Sequence, residues 1–276
     1  MPAASTSAVS TEAAEASGSS EVAAPSTTGG LDTELASSGH LVSCTDIRGT
    51  VMSSFDEDGR PIGVNIELGE EIAARLGLEP QIRDTAFETL IDAVEDGVCD
   101  VSISSQHITR SRLERIEMIP ITQGTQHVIV RVGDPTGIDT ITDLCGKALA
   151  VQNGSTHVDL ILGLGDHVDA GLDADCQSLG LPSVDLRTFE ADQDAVEALA
   201  SGEADAYIGS DFVTVDRPSE FELSVALPPT RNGIGLAKDK PILFAAVEAA
   251  LESMIADGAY LAILEKHGVA GISVAD

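Results

Sequence analysis

The chain has 276 residues, room for one large domain or two modest ones, and at 43% hydrophobic it can pack a core. No run of about 18 apolar residues is present to cross a membrane as a helix. Asp and Glu number 46 against 15 Lys and Arg, a formal net charge of −31 that repels a phosphate backbone and excludes nucleic acid as a partner. Aromatic residues are 3% and Trp is absent, which argues against a sugar-stacking lectin. The acid-rich, Lys-poor balance fits either a high-salt setting or a well-solvated secreted protein.

Residues 2–38 are mostly Ala, Ser, Thr, Glu and Gly, without Lys, Arg or aromatics. Such a segment buries too little apolar surface to offset its ordering entropy, so 1–38 reads as a disordered tether. It has no basic n-region and no apolar h-region, so Met1 reads as a start placed on a mature sequence.

From residue 40 strands and helices alternate. Residues 40–44 read as a buried strand and 62–64 as a short extended piece. Leu68, Ile72, Ala73 and Leu76 lie at helical spacing over 65–76, with Gly77 as the stop. Residues 80–83 predict a strand. Thr85 and Glu88 have capping-box spacing and predict a helix through Val94. Residues 100–104 predict a strand, and Thr109 can cap the next turn. The pattern then restarts: strand 146–151, a helix start at 152–156, strand 184–188, helix 193–200 and strand 204–209. Residues 241–257 are amphipathic, and 260–267 form a last short helix that packs with them on the first lobe.

A helix stop at Gly97 with Asp100 three residues on is matched by Gly202 and Asp205 at the corresponding point of the second half. Alternation plus this repeat predicts two similar α/β lobes, each a mainly parallel sheet flanked by helices. Cys44, Cys99, Cys145 and Cys176 allow three pairings, and none forms a Cys-x-x-Cys site. Two lobes favour Cys44–Cys99 and Cys145–Cys176, and paired cysteines imply an oxidising compartment.

Ligands of open α/β sheets sit beyond the carboxyl ends of the strands, so two lobes place two such edges across a cleft. The residues there are Asp46 and Arg48, then Ser105, His107 and Arg112, then Ser155 and Thr156, and finally Asp211, with Phe87 at a nearby helix start. Arg112 suits a carboxylate, through two parallel hydrogen bonds. Backbone N–H groups near Ser155 and Thr156 add donors, Phe87 gives a flat wall, and Asp211 suits an amine. This set fits an amino acid or a similar zwitterion. No metal or cofactor motif is read, and no nucleophile–base set, so the reading is not an enzyme.

These segments together resemble the extracellular solute-binding proteins of ABC importers, in the amino-acid-binding branch. The likeness spans about 39–270. Its carriers are the 44–47 run, Asp58-Gly59 through Gly63, Phe87 with Ile91, and Gly97 to Asp100. Thr109 with Arg112, and residues 144–147 leading to Gly154-Ser155-Thr156, complete them. A sub-branch has cysteines at these four positions. The resemblance implies a type II periplasmic-binding fold, with lobe 1 from 39–125 plus 235–276, lobe 2 from 126–234, and crossing strands near 124–128 and 231–236. It implies hinge closure on a small molecule, delivery to permease membrane subunits, a monomer, and an extracytoplasmic site with a lipid anchor as one option. It also implies Arg112 and Thr156 on the ligand carboxylate and Phe87 against its side chain. The sequence departs from the family at 48–52, which lack an aromatic, and at 121–123, where the usual aromatic end is Ile-Thr-Gln. His107 stands where Ser or Thr is usual, and Ser210 where the amine-holding Asp is usual, with Asp211 one place late. These departures keep open a small organic acid as ligand, or a dehydratase-like enzyme on the same scaffold.

Overall fold

The computed structural model describes Met1 and residues 28–47, 49–168 and 170–275. In chain order the elements are α1 (Thr28–Leu31), β1 (His40–Thr45), β2 (Ser54–Phe55), β3 (Pro61–Ile62), α2 (Val64–Leu76), β4 (Glu79–Asp84), α3 (Leu90–Glu95), β5 (Val101–His107), α4 (Arg110–Leu113) and β6 (Ile116–Gly124). They continue with β7 (Gln126–Arg131), β8 (Ala148–Gln152), α5 (Thr156–Leu162), α6 (Leu172–Ser178), β9 (Asp185–Phe189), α7 (Asp192–Ser201), β10 (Ala206–Ser210), α8 (Phe212–Asp216) and β11 (Phe221–Ala226). Last come β12 (Thr230–Ala237), α9 (Pro241–Asp257) and α10 (Ala259–Lys266).

Two five-stranded sheets carry the lobes, in the orders β4-β1-β5-β12-β6 and β11-β7-β10-β8-β9. In the first, β1 is parallel to β4 and β5, and β12 runs antiparallel to β5 and β6. In the second, β8 is parallel to β9 and β10, and β7 runs antiparallel to β10 and β11. The odd strand of each sheet is the one that has just crossed from the other lobe, so it meets its new neighbours head to tail. The first crossing is at Thr125, between β6 and β7. The second differs from the sequence expectation. Residues 231–236 lie within β12 of the first sheet, and the chain crosses at Pro228-Pro229. Leu227 still donates its N–H to Gln126 at 2.9 Å, after which two prolines have no N–H to extend the ladder.

The repeat seen in the sequence is a structural device. After Gly97, the Asp100 carboxylate accepts the Val42 N–H of β1 at 2.8 Å. After Gly202, the Asp205 carboxylate accepts the Ala148 N–H of β8 at 2.9 Å. In both lobes the Asp thus pins the neighbouring parallel strand, whose own backbone carbonyl accepts the Asp N–H.

Strand alternation divides the lobe 2 core between two faces. Val128 and Val130 join Leu149, Ile161 and Ile208, while Ile129 joins Leu199, Tyr207 and Phe221. In lobe 1, α9 and α10 lay Val247, Leu251, Met254, Tyr260 and Leu264 against Leu68 and Ile72 of α2. Each fully buried side chain of this size contributes about 1.5–3 kcal/mol. Tyr260 donates its hydroxyl to the Ile121 carbonyl at 2.7 Å, so its polar end is satisfied inside the core. Cys44 pairs with Cys99 and Cys145 with Cys176, one bridge per lobe.

Two further expectations are corrected. Residues 28–38 are not a tether. Leu31 is buried and Leu35 packs beside it, Ala36 donates its N–H to Asp100 at 2.6 Å, and Glu34 accepts that of Leu243 at 2.8 Å. Two leucines in a polar stretch supply that anchor, which average composition conceals. Residues 2–27 of the expected tether lie outside the described residues. Thr85 also forms no capping box. Its N–H still pairs with Thr45, so it extends β4, and α3 starts later, after a single turn of 3₁₀ helix over Phe87–Thr89. Among the described residues a capping box does form at Thr140 with Asp143.

Candidate functional site

The carboxyl ends of both sheets face a cleft of about 940 Å³. Of the residues singled out in the sequence, Asp46, Phe87, Ser105, His107, Arg112, Ser155, Thr156 and Asp211 line it. Arg48 lies outside the described residues. Their convergence follows from the topology. Asp46 follows β1, Ser105 and His107 end β5, α4 carries Arg112, Thr156 opens α5 after β8, and Asp211 follows β10.

Arg112 sits where the two lobes meet and is 8% exposed. Thr109 caps its helix by accepting the Arg112 N–H at 3.1 Å, which fixes the backbone. The guanidinium donates to the His107 carbonyl of lobe 1 at 2.9 Å and to the Gly154 carbonyl of lobe 2 at 3.2 Å. Its Cζ lies 5.7 Å from the Phe87 ring centroid, so Phe87 braces the cation. Among the described residues no carboxylate forms an ion pair with it. Burial pushes its pKa down from 12.5 to about 10, against the charges of Asp159 and Asp166, which raise it. A buried cation so placed favours an anion in the cleft.

His107 and Thr156 meet across the cleft, Nδ1 to Oγ1 at 2.7 Å. His107 also lies edge to face with His157, centroids 5.7 Å apart. Burial holds both rings neutral, and the Arg112 charge adds to it: His107 falls to about 4 and His157 to about 3. The Thr156 hydroxyl is therefore engaged with the opposite lobe, and Nε2 of His157 and Oγ of Ser155 are buried without a protein partner among the described residues.

Other contacts join the lobes. Gln152 donates to Asp46 at 2.5 Å. Gly154, at φ +71°, lies so close to Glu88 that a Cβ there would sit 2.6 Å from the Glu88 Cα. Only glycine permits both the left-handed backbone and this approach. Ser105 adopts φ 52°, a strained conformation for a residue with a Cβ, and accepts a bond from Asn65 at 3.4 Å. Asp211 precedes α8 on the opposite wall, beside Ser210.

His157 lies on the 153–157 stretch that topology already placed at the cleft edge, while Gln152, Asp192 and Tyr207 are among the lining residues that sequence reasoning did not assign to the site. Tyr207 donates to the Asp192 carboxylate at 2.7 Å. Burial raises Asp192 to about 6, against the lowering effect of that bond. Gln152 was readable as the end of β8. Asp192 was legible only as a helix start.

Residues 41–270 match the model of the bacterial extracellular solute-binding proteins, family 3. The chain belongs to this family. Its fold is the two-lobed type II periplasmic-binding architecture. The L-cystine-binding protein TcyJ of Escherichia coli (strain K12) is 26% identical over 216 residues, 76% of this chain and 75% of that protein. The probable ABC transporter arginine-binding protein ArtJ of Chlamydia trachomatis is 26% identical over 224 residues, 78% of this chain and 80% of that protein. A solved ancestral arginine-binding protein bound to arginine matches with a TM-score of 0.72 at 26% identity, covering 83% of this chain and 98% of that one. This solute-binding protein thus keeps the family fold while building its cleft around an arginine and two neutral histidines.

Proposed function

We propose that this solute-binding protein captures an amino acid between its lobes outside the cytoplasm and hands it, as a monomer, to the permease subunits of an ABC importer. Arg112 carries the reading, as a buried guanidinium at the junction of both lobes with carbonyls but, among the described residues, no carboxylate on it. A ligand carboxylate there gains charge-assisted hydrogen bonds in a site already desolvated. Ser105 and the N–H groups around Ser155 and Thr156 add donors to the same carboxylate. Asp211 takes the amine from the far wall, and Phe87 holds the Arg112 plane against one side of the ligand. The names of the relatives, which bind cystine or arginine, support the amino-acid class. The histidine that could serve as an acid or base is engaged with Thr156, which favours holding over turnover.

Closure follows from the same geometry. Ligand that touches both walls stabilises the closed form by its differential affinity for it. A thermal-shift screen of the twenty amino acids and small di- and hydroxy-acids tests this. Binding to the folded state raises the melting temperature. A shift with one zwitterion, without its consumption and lost in Arg112→Ala, is expected. A shift only with acids lacking an amine would refute the amino-acid reading.

A further inference from the structure

The lobes are also joined at a point that carries no cleft residue. The four-residue helix α4 presents three N–H groups at its start, those of Arg110, Ser111 and Arg112. Thr109, inside the same lobe, takes that of Arg112. The other two go to the opposite lobe. Asp166 Oδ2 accepts the Arg110 N–H and Asp166 Oδ1 accepts the Ser111 N–H, both at 2.8 Å. One carboxylate of lobe 2 therefore completes the cap of a lobe 1 helix, and this helix bears Arg112 two residues on. The loop that carries Asp166 approaches α4 closely, since a Cβ on Gly165 would sit 3.3 Å from Ser111 Oγ.

Asp166 is exposed and does not line the cleft. Ligand contact does not explain its geometry. When the lobes part, both N–H groups and the carboxylate turn to water, so the contact exists only in the closed form. Burial acts to raise the Asp166 carboxyl, but its bonds to Arg110 and Ser111 outweigh this and lower it, as they do for a carboxylate at a helix start.

We infer that Asp166 is an interlobe latch: by capping α4 from the opposite lobe it favours the closed form without ligand, and it sets the position of Arg112 as closure occurs. The inference rests on the proposed closing function only in taking lobe motion as the event that matters. In the closed form Asp166 acts through Arg112 and is a positioning residue. A cap of this kind shifts an equilibrium about three- to thirtyfold. A population shift of that size moves the mean shape of the free protein whenever open and closed forms coexist.

The test uses the ligand-free full chain, so it does not depend on the identity of the solute. Small-angle X-ray scattering measures the radius of gyration of wild type, Asp166→Ala, Asp166→Asn and Thr109→Ala, with melting temperature as the check on folding. Asp166→Ala is expected to expand. Asp166→Asn, which keeps one acceptor oxygen, is expected to expand less. Thr109→Ala removes a cap from the same helix without bridging the lobes, and is expected to keep the wild-type radius. If Asp166→Ala keeps the wild-type radius while folded, the latch is overturned. It is equally overturned if Thr109→Ala expands as much, because the effect would then be loss of a helix cap alone.

Discussion

Replacing His157 with Asn should change how stability depends on pH, and by a predictable amount. In the fold, burial is the main cause that pushes His157 to about 3, helped by the charges of His107 and Arg112. Burial likewise pushes His107 to about 4, with Arg112 adding. Both start from an ordinary value of 6.5. Below that value the unfolded chain binds a proton on each ring and the folded chain does not. Each ring therefore contributes stability that is complete above pH 6.5 and is lost as the pH falls toward its folded value. Between pH 7.5 and 5 the loss is about 2 kcal/mol per ring, from roughly 1.4 kcal/mol for each unit below 6.5. Carboxylates titrate in the same range, so the informative quantity is variant minus wild type. Urea unfolding at pH 7.5, 6 and 5 should show His157→Asn gaining about 2 kcal/mol on wild type across that span, and the double variant with His107→Asn about 4. Parallel pH curves for wild type and both variants would refute the account of two buried neutral histidines.

Asp192 has the opposite sign. Its raised pKa means that the folded state holds a proton the unfolded state has lost, so stability falls as pH rises from 3.8 to about 6. Asp192→Asn should flatten that slope in the same urea series. Removing the lobe 2 bridge with Cys145→Ser and Cys176→Ser, 31 residues apart, should cost about 4 kcal/mol in the chain-entropy model, read as a lower urea midpoint. Gly154→Ala should lower folded stability by only about 1–2 kcal/mol for its left-handed backbone. Yet it should weaken binding of the screened amino acid by about tenfold or more, because the Cβ meets Glu88 across the cleft and blocks closure. Equal affinity in calorimetry would sink that reading.

The sequence showed most of the scaffold because its signals are local. Gly77 and Gly202 end their helices in left-handed caps, and Asp100 and Asp205 stand immediately before β5 and β10, so each strand starts one residue later than the repeat implied. The cleft residues were legible for a related reason: strand ends face one edge, so a residue just past a strand is placed by topology alone. What failed depended on partners far away in the chain. The Thr85 spacing suited a capping box, but pairing with Thr45 claimed its backbone for β4. Residues 28–38 looked disordered by composition, because the value of Leu31 and Leu35 depends on α9 being there to receive them. The second crossing was displaced although Pro228-Pro229 announced it, since the lack of two N–H groups ends a ladder more sharply than any apolar pattern. Asp192 and the Asp166 cap had no local signature, because their meaning comes from what the opposite lobe or a buried tyrosine places against them.

The central claim is that Arg112 holds the carboxylate of an amino acid. Isothermal titration tests it most directly, using the amino acid with the largest thermal shift and its carboxamide on wild type and Arg112→Ala. If the claim is right, the carboxamide binds wild type about a hundredfold more weakly, in line with a charge-assisted pair worth about 3 kcal/mol. Arg112→Ala would then bind acid and amide alike. Equal discrimination between acid and amide in both proteins would contradict it, because the carboxylate would then be held elsewhere in the cleft.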